Sequence, residues 1–222
     1  KVIFIDDLGS LINEVISFSQ ETESNSLEHQ MVWFRGQKDS RFNLIPRLYR
    51  NVLNSKATSK NSNFWNDLVK KEQELLGDFK VRNYHLISRL PENDLTWMSI
   101  MQHYGTSTRL LDWSEQLLVS LFFSIDDYFA DLKPDVDYLP CLWCLKPLVL
   151  NREADKAQDL NIDCTKLPNM LSIIPKESTD TTNFPNFYLA ESSTEDLSDE
   201  DHHCWPLSVI SPYNNERIRA QS

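Results

Sequence analysis

Apolar residues recur along this chain with two periods, one helical and one strand-like. Asp7 to Ser10 reads as a helix start, and Leu11, Ile12, Val15, Ile16 and Phe18 continue it as a helical stripe up to the polar stretch from Gln20 to Ser26. Between Asn63 and Ile87, the spacing of Phe64, Leu68, Leu75, Leu76, Phe79 and Leu86 predicts one long helix, or two in tandem around Gly77. Asp94 to Tyr104 predicts another, with Trp97, Ile100, Met101 and Tyr104 on one face and Gly105 at the left-handed C-cap position. Leu117, Leu118, Leu121, Phe122, Ile125 and Phe129 give an apolar face wide enough for a central core helix from Glu115 to Phe129.

The strand-like segments are shorter. Met31 to Gln37 (MVWFRGQ) reads as a strand feeding a turn at Gly36, with Arg35 at its C-terminal end. Thr108 to Trp113 (TRLLDW), Tyr138 to Leu150 and Trp205 to Ile210 read as further strands, and Tyr213 to Gln221 starts a last helix or turn. From Asn151 to His203 periodicity fades and Ser, Thr, Asp and Asn abound, so this part is loop-rich. Its piece from Glu191 to Asp201 holds Glu191, Glu195, Asp196, Asp199, Glu200 and Asp201, a solvated insertion. No internal repeat is present. The pattern predicts an α+β fold: a single mixed domain over 1–222 with a small curved sheet, a central core helix and a loop-rich C-terminal part. A motif-bearing core spans 27–130 and a loop-rich, acidic elaboration spans 151–203.

Composition narrows the class. Of 222 residues 25% are charged and 41% hydrophobic, with 6 Trp, 7 Tyr and 11 Phe, which excludes disorder for most of the chain. The net charge of -11 argues against gripping nucleic acid through bulk positive charge. That charge is uneven: residues 1–130 carry 14 Lys/Arg and 17 Asp/Glu, whereas residues 131–222 carry 8 and 16. Arg35, Lys38, Arg41, Arg47 and Arg50 face only Asp39 within residues 35–50, a local +4. The longest apolar run, Leu117 to Phe123, is broken by Ser120 and too short for a bilayer, so no membrane is expected. Four cysteines make no disulfide scaffold and point to a reducing, cytoplasmic setting. Both ends read as trimmed, with Lys1 first and Ser222 inside a helical pattern, which leaves a cleaved signal open.

Three segments set polar groups at strand and turn positions. They are Phe34-Arg35-Gly36-Gln37 with the basic run Leu44 to Arg50, Gln102-His103-Tyr104-Gly105 running into Thr108 to Ser114, and Asn215 to Gln221. Together they resemble the FRG domain, a family called after its Phe-Arg-Gly motif and found in bacterial and phage proteins. The resemblance covers Trp33 to Phe129, and the strand predicted from Cys141 to Asn151 and the Asn-Glu-Arg-Ile-Arg-Ala-Gln ending also fit. The family pattern continues with Gly and an aromatic after Gln221, where this chain stops. The resemblance implies defence or toxin-like biology and gives no reaction.

The residue types carry a chemical argument of their own. An Arg at a strand end beside a Gly, other Arg residues nearby and a Ser ahead of a helix suit a phosphate, through bidentate guanidinium bonds and helix amides. Arg35, Arg109 and Ser114, with Gln37 and Arg50, are therefore candidate ligand-binding residues, and NAD or another nucleotide is the first candidate cofactor. His103, Tyr104 and Asp112 lie within ten residues and would form a proton-transfer set if the turn brings them together. By analogy with ADP-ribosyltransferases of the arginine-serine-glutamate type, Arg35 would contact the dinucleotide, Ser114 would order the site, and Glu216 or Gln221 would stand in for the late acid.

Plainer readings stay open beside these. Arg35 and Asp112 could form a buried pair that needs no ligand, and Arg47 and Arg50 could be surface residues. His103 could simply be stabilised at a negative helix end. Cys141 and Cys144, with Cys164, His202, His203 and Cys204, nominally suit zinc, but residues three apart on a strand point to opposite faces, so core cysteines are the reading and no metal is assigned. Three classes follow: a nucleotide-binding effector, a non-catalytic sensor whose Arg35 to Arg50 patch meets an acidic or phosphate-bearing partner or protein, and a domain whose working surface is its acidic C-terminal part.

Overall fold

The computed structural model describes residues 1–21, 31–50, 64–87, 90–91, 93–126, 138–158, 165–167, 206 and 208–210. In chain order these form α1 (Leu8–Gln20), β1 (Trp33–Gln37), a helical turn at 47–50, and α2 (Phe64–Asn83) with a 3-10 turn at Tyr84–Leu86. After these come α3 (Asp94–His103), α4 (Leu117–Ile125), β2 (Cys141–Leu145) and α5 (Pro147–Gln158). Helices with a two-stranded antiparallel sheet make this the α+β fold that the sequence predicts. Among the described residues no helix is long and apolar enough to cross a membrane.

Capping chemistry explains the helix boundaries. The Asp7 carboxylate accepts the Ser10 amide at 2.9 Å and the Ser10 hydroxyl at 2.6 Å, which starts α1 and holds the Asp7 carboxyl below the usual range. Asn93 Oδ1 accepts the Thr96 amide at 2.9 Å and starts α3. Gly105 ends α3 with φ at 79°, and the Thr106 amide donates to the Met101 carbonyl at 2.9 Å, closing the orphan carbonyls of the last turn.

α2 runs through Gly77 as one helix, the first of the two alternatives that the spacing left. Several expectations are corrected. Thr108 to Trp113 is no strand: the Thr108 hydroxyl takes the Leu110 amide and Gln102 takes the Leu110 carbonyl, so side chains satisfy backbone groups that a ladder would use. The strand read from Tyr138 to Leu150 stops at Leu145, because Pro147, with its fixed φ and no N–H, opens α5. The helix then runs to Gln158, inside the stretch read as loop. Tyr104 is 63% exposed and not part of the buried face of α3, which is Trp97, Met98, Ile100 and Met101. In α4 the buried positions are Ser120 and Ser124, while Leu118, Phe122 and Phe123 are exposed. Of the strand read at 205–210, only 206 and 208–210 fall among the described residues, and Tyr213 to Gln221 lies outside them.

The chain folds as two compact units. One takes residues 1–41 and 113–167 and so holds α1, the β1–β2 sheet, α4 and α5. Its buried apolar residues include Val32, Trp33, Phe34, Leu148 and Ala154. The other takes residues 42–112 and 168–221. Its core joins Leu48 to Leu68, and Leu76 to Trp97, Met98 and Met101, with Leu75, Phe79, Ile87 and Leu110 packed against them.

Candidate functional site

In the first unit the Phe-Arg-Gly strand has two dissimilar faces. An antiparallel pair puts directly opposed residues on the same face. Phe34, Gly36, Leu142 and Cys144 therefore share one side, and Arg35, Gln37, Trp143 and Cys141 share the other.

The first side lies against α4 at van der Waals contact. A Cβ on Gly36 would stand 2.0 Å from the Ser120 carbonyl oxygen and 2.7 Å from the Ser124 amide nitrogen. Glycine is thus demanded by backbone-to-backbone approach; the strand continues through Gly36 to Gln37, and the expected turn at Gly36 is absent. Small, buried Ser120 and Ser124 give α4 the matching groove, and the Ser124 hydroxyl satisfies itself on the Leu121 carbonyl at 2.7 Å. Phe34 is locked on its other flank by reciprocal backbone bonds with Ser114, at 2.8 and 2.9 Å. The Ser114 hydroxyl accepts the Gln116 amide at 3.0 Å just ahead of α4. Arg35, Gln37 and Ser114 are thereby brought to one short stretch of backbone.

The second side carries the polar chemistry. Arg35 faces Trp143 across the sheet, and Gln37 faces Cys141. Gln37 Oε1 accepts the Trp143 indole N–H at 2.5 Å and lies 3.9 Å from Cys141 Sγ, so the indole is held in one orientation although Trp143 is 36% exposed. Burial pushes the Cys141 thiol up, partly offset by its contact with Trp143, and pushes Cys144, on the α4 side, up to about 11. Both thiols are free and on opposite faces, while Cys164, His202, His203 and Cys204 lie outside the described residues. Among the described residues no cluster of three or more His, Cys, Asp or Glu could hold a metal.

The Gln-His-Tyr-Gly and Thr-Arg-Leu-Leu-Asp residues belong to the second unit, where they build a polar network. Gln102 Nε2 donates to the Leu110 carbonyl and to Asp112 Oδ2, each at 3.1 Å, and Gln102 Oε1 accepts the Thr108 hydroxyl. Arg109 grips Glu72 of α2 with two guanidinium bonds, one from Nε at 2.7 Å, and both side chains are buried. That pair engages Nε and Nη2, one edge of the guanidinium that the phosphate reading of Arg109 would use. Arg47 donates to the Gly105 carbonyl at 3.0 Å. His103 stacks edge-on to Tyr104 with ring centroids 5.5 Å apart, and its buried Nε2 has no hydrogen-bond partner.

The basic stretch also divides. Arg41 chelates buried Asp39 at 2.8 to 3.2 Å and lies over Tyr138, which holds the Asp39 carboxyl low, while Arg50 is exposed in the second unit. Glu216 and Gln221 lie outside the described residues. Sequence reasoning gave no role to three residues. Trp143 had a signal, an aromatic flanked on both sides by strand residues. Gln102 could be suspected from its place before a helix-ending glycine. Glu72 had none, because its partner is 37 residues away.

Residues 30–132 match the family model described as the FRG domain. No curated protein and no solved structure matches the chain.

Proposed function

Residues 30–132 are an FRG domain, and on that premise we propose that the Arg35–Gln37–Trp143 face of its sheet binds a nucleotide-like ligand, one carrying both an aromatic ring and a phosphate. The observation that carries the reading is the half-exposed Trp143 indole, held by Gln37 directly across the sheet from Arg35. A fixed indole face stacks on a base, and a guanidinium beside it recognises phosphate oxygens in a planar, bidentate way that lysine cannot reproduce. Arg109 is left out of the ligand set because Glu72 holds it. Thermal shift and calorimetry with ATP, AMP, NAD and inorganic phosphate test the reading. Binding of at least one nucleotide, weakened in Trp143→Ala and in Arg35→Lys, supports it; no binding by any, or binding unchanged in both variants, defeats it.

Group transfer from NAD is the finer form of the same reading, with Glu216 or Gln221 in the role of the late acid, and the defence or toxin-like setting implied by the family would follow from it. Its separate measurement is nicotinamide release on incubation with NAD. Binding without release would leave a sensor.

A further inference from the structure

The Gln37 side chain has its accepting half taken up by its own chain. Its amide oxygen Oε1 receives the Trp143 indole N–H at 2.5 Å and lies 3.9 Å from the Cys141 sulfur, on the sheet face that these residues share with Arg35. An indole nitrogen can only donate, so the amide atom turned towards it is necessarily the oxygen, and the orientation of the amide is fixed by chemistry. The thiol is a second donor to the same oxygen. Burial pushes Cys141 up, which keeps it protonated at neutral pH. A carbonyl oxygen has two lone pairs, and here two donors address them. What Gln37 has to offer a ligand is therefore its Nε2 group, whose hydrogens only donate.

That polarity decides which ring suits the face. A glutamine with both halves available reads adenine by donating one hydrogen bond and accepting another. Gln37 has no acceptor left for the second bond. Because its amide is bonded to the Nε1 edge of the indole, it stands at the rim of a ring stacked on the indole face. A carbonyl on that rim accepts from Nε2. An exocyclic amino group is itself a donor, so it would set donor against donor beside a half-buried side chain.

Resting on the nucleotide reading of this sheet face, we infer that the ring stacked on Trp143 bears a carbonyl at its rim. Guanine, hypoxanthine and uracil are taken in preference to adenine and cytosine, and NAD enters with its nicotinamide carboxamide, not its adenine, at the indole. Ring nitrogens of adenine and cytosine still accept, so the preference is one of degree: about tenfold, the ratio that one unsatisfied donor sets.

Calorimetry on the whole chain with two matched pairs tests this: inosine against adenosine monophosphate, and uridine against cytidine monophosphate. Within a pair the sugar, phosphate and ring size are the same, and the difference lies at the exocyclic group and the ring nitrogen beside it. The carbonyl-bearing member is expected to bind about tenfold tighter. Trp143→Phe keeps an aromatic face but removes the indole N–H, which frees Oε1 to accept and the amide to turn, so the ratio should fall below about threefold. Gln37→Glu keeps one oxygen for the indole and puts a second acceptor in place of Nε2, so the order within each pair should invert; its repulsion of phosphate is common to both members and cancels. If melting shows one variant unfolded, the other carries the test. Equal or tighter binding of the amino-bearing members by the native protein, a preference that persists undiminished in Trp143→Phe, or an order that does not invert in Gln37→Glu would overturn the inference and leave the ligand reading standing. No binding of any of the four would overturn both.

Discussion

Replacing Gly36 by alanine adds one methyl group where there is no room for it. The new Cβ would lie 2.0 Å from the Ser120 carbonyl oxygen and 2.7 Å from the Ser124 nitrogen, whereas ordinary contact begins at 3.4 Å. Relief therefore needs a separation of about 1.4 Å (3.4 less 2.0) between β1 and α4. Both neighbours are backbone atoms, so no rotamer change absorbs the clash, and the whole helix must retreat from Phe34. We expect a loss of about 3 kcal/mol, at the upper end of overpacking costs. For a chain of this size that is a fall in Tm of roughly 6–12 °C by calorimetry. Trimming the neighbours as well, in Gly36→Ala with Ser124→Gly, should not rescue stability, because the obstacle is not the serine side chain. Gly77→Ala is the control: a Cβ there meets nothing within 4 Å, so in mid-helix it should be neutral or stabilising by up to about 1 kcal/mol. A Gly36→Ala protein melting within about 2 °C of native would refute the close-approach account.

Three further outcomes are expected. Arg109→Ala leaves Glu72 buried and uncompensated and should cost about 3–5 kcal/mol in urea unfolding, while removing both charges in Glu72→Leu with Arg109→Met should cost clearly less. Cys144, pushed up to about 11 by burial, holds roughly a thousandth of its thiol as thiolate at pH 8, so iodoacetamide should label it slowly in the native protein and rapidly in urea. Asp39 has its carboxyl lowered by Arg41, so its stabilisation is full above the ordinary carboxylate range and is lost as pH falls through its lower native value; Asp39→Asn should flatten that part of an acid-unfolding curve.

What the sequence by itself determined is what neighbouring residues determine. The caps at Asp7, Asn93 and Gly105 act over a few bonds, so α1 and α3 are readable from the order of residues alone. The Phe-Arg-Gly strand and the family were likewise legible, because both reside in contiguous motifs. Pro147 was a readable signal too, and it outweighs the apolar run in which it sits. Tertiary structure decided the rest. Gly36 serves a helix more than 80 residues away and not a turn, and Arg109 is taken by Glu72 on another helix. The Thr108 to Trp113 run, strand-like in composition, is held irregular by side chains of Gln102 and Thr108. Those outcomes depend on which surfaces meet in space, and hydrophobic period specifies how much apolar surface an element offers, not what will cover it.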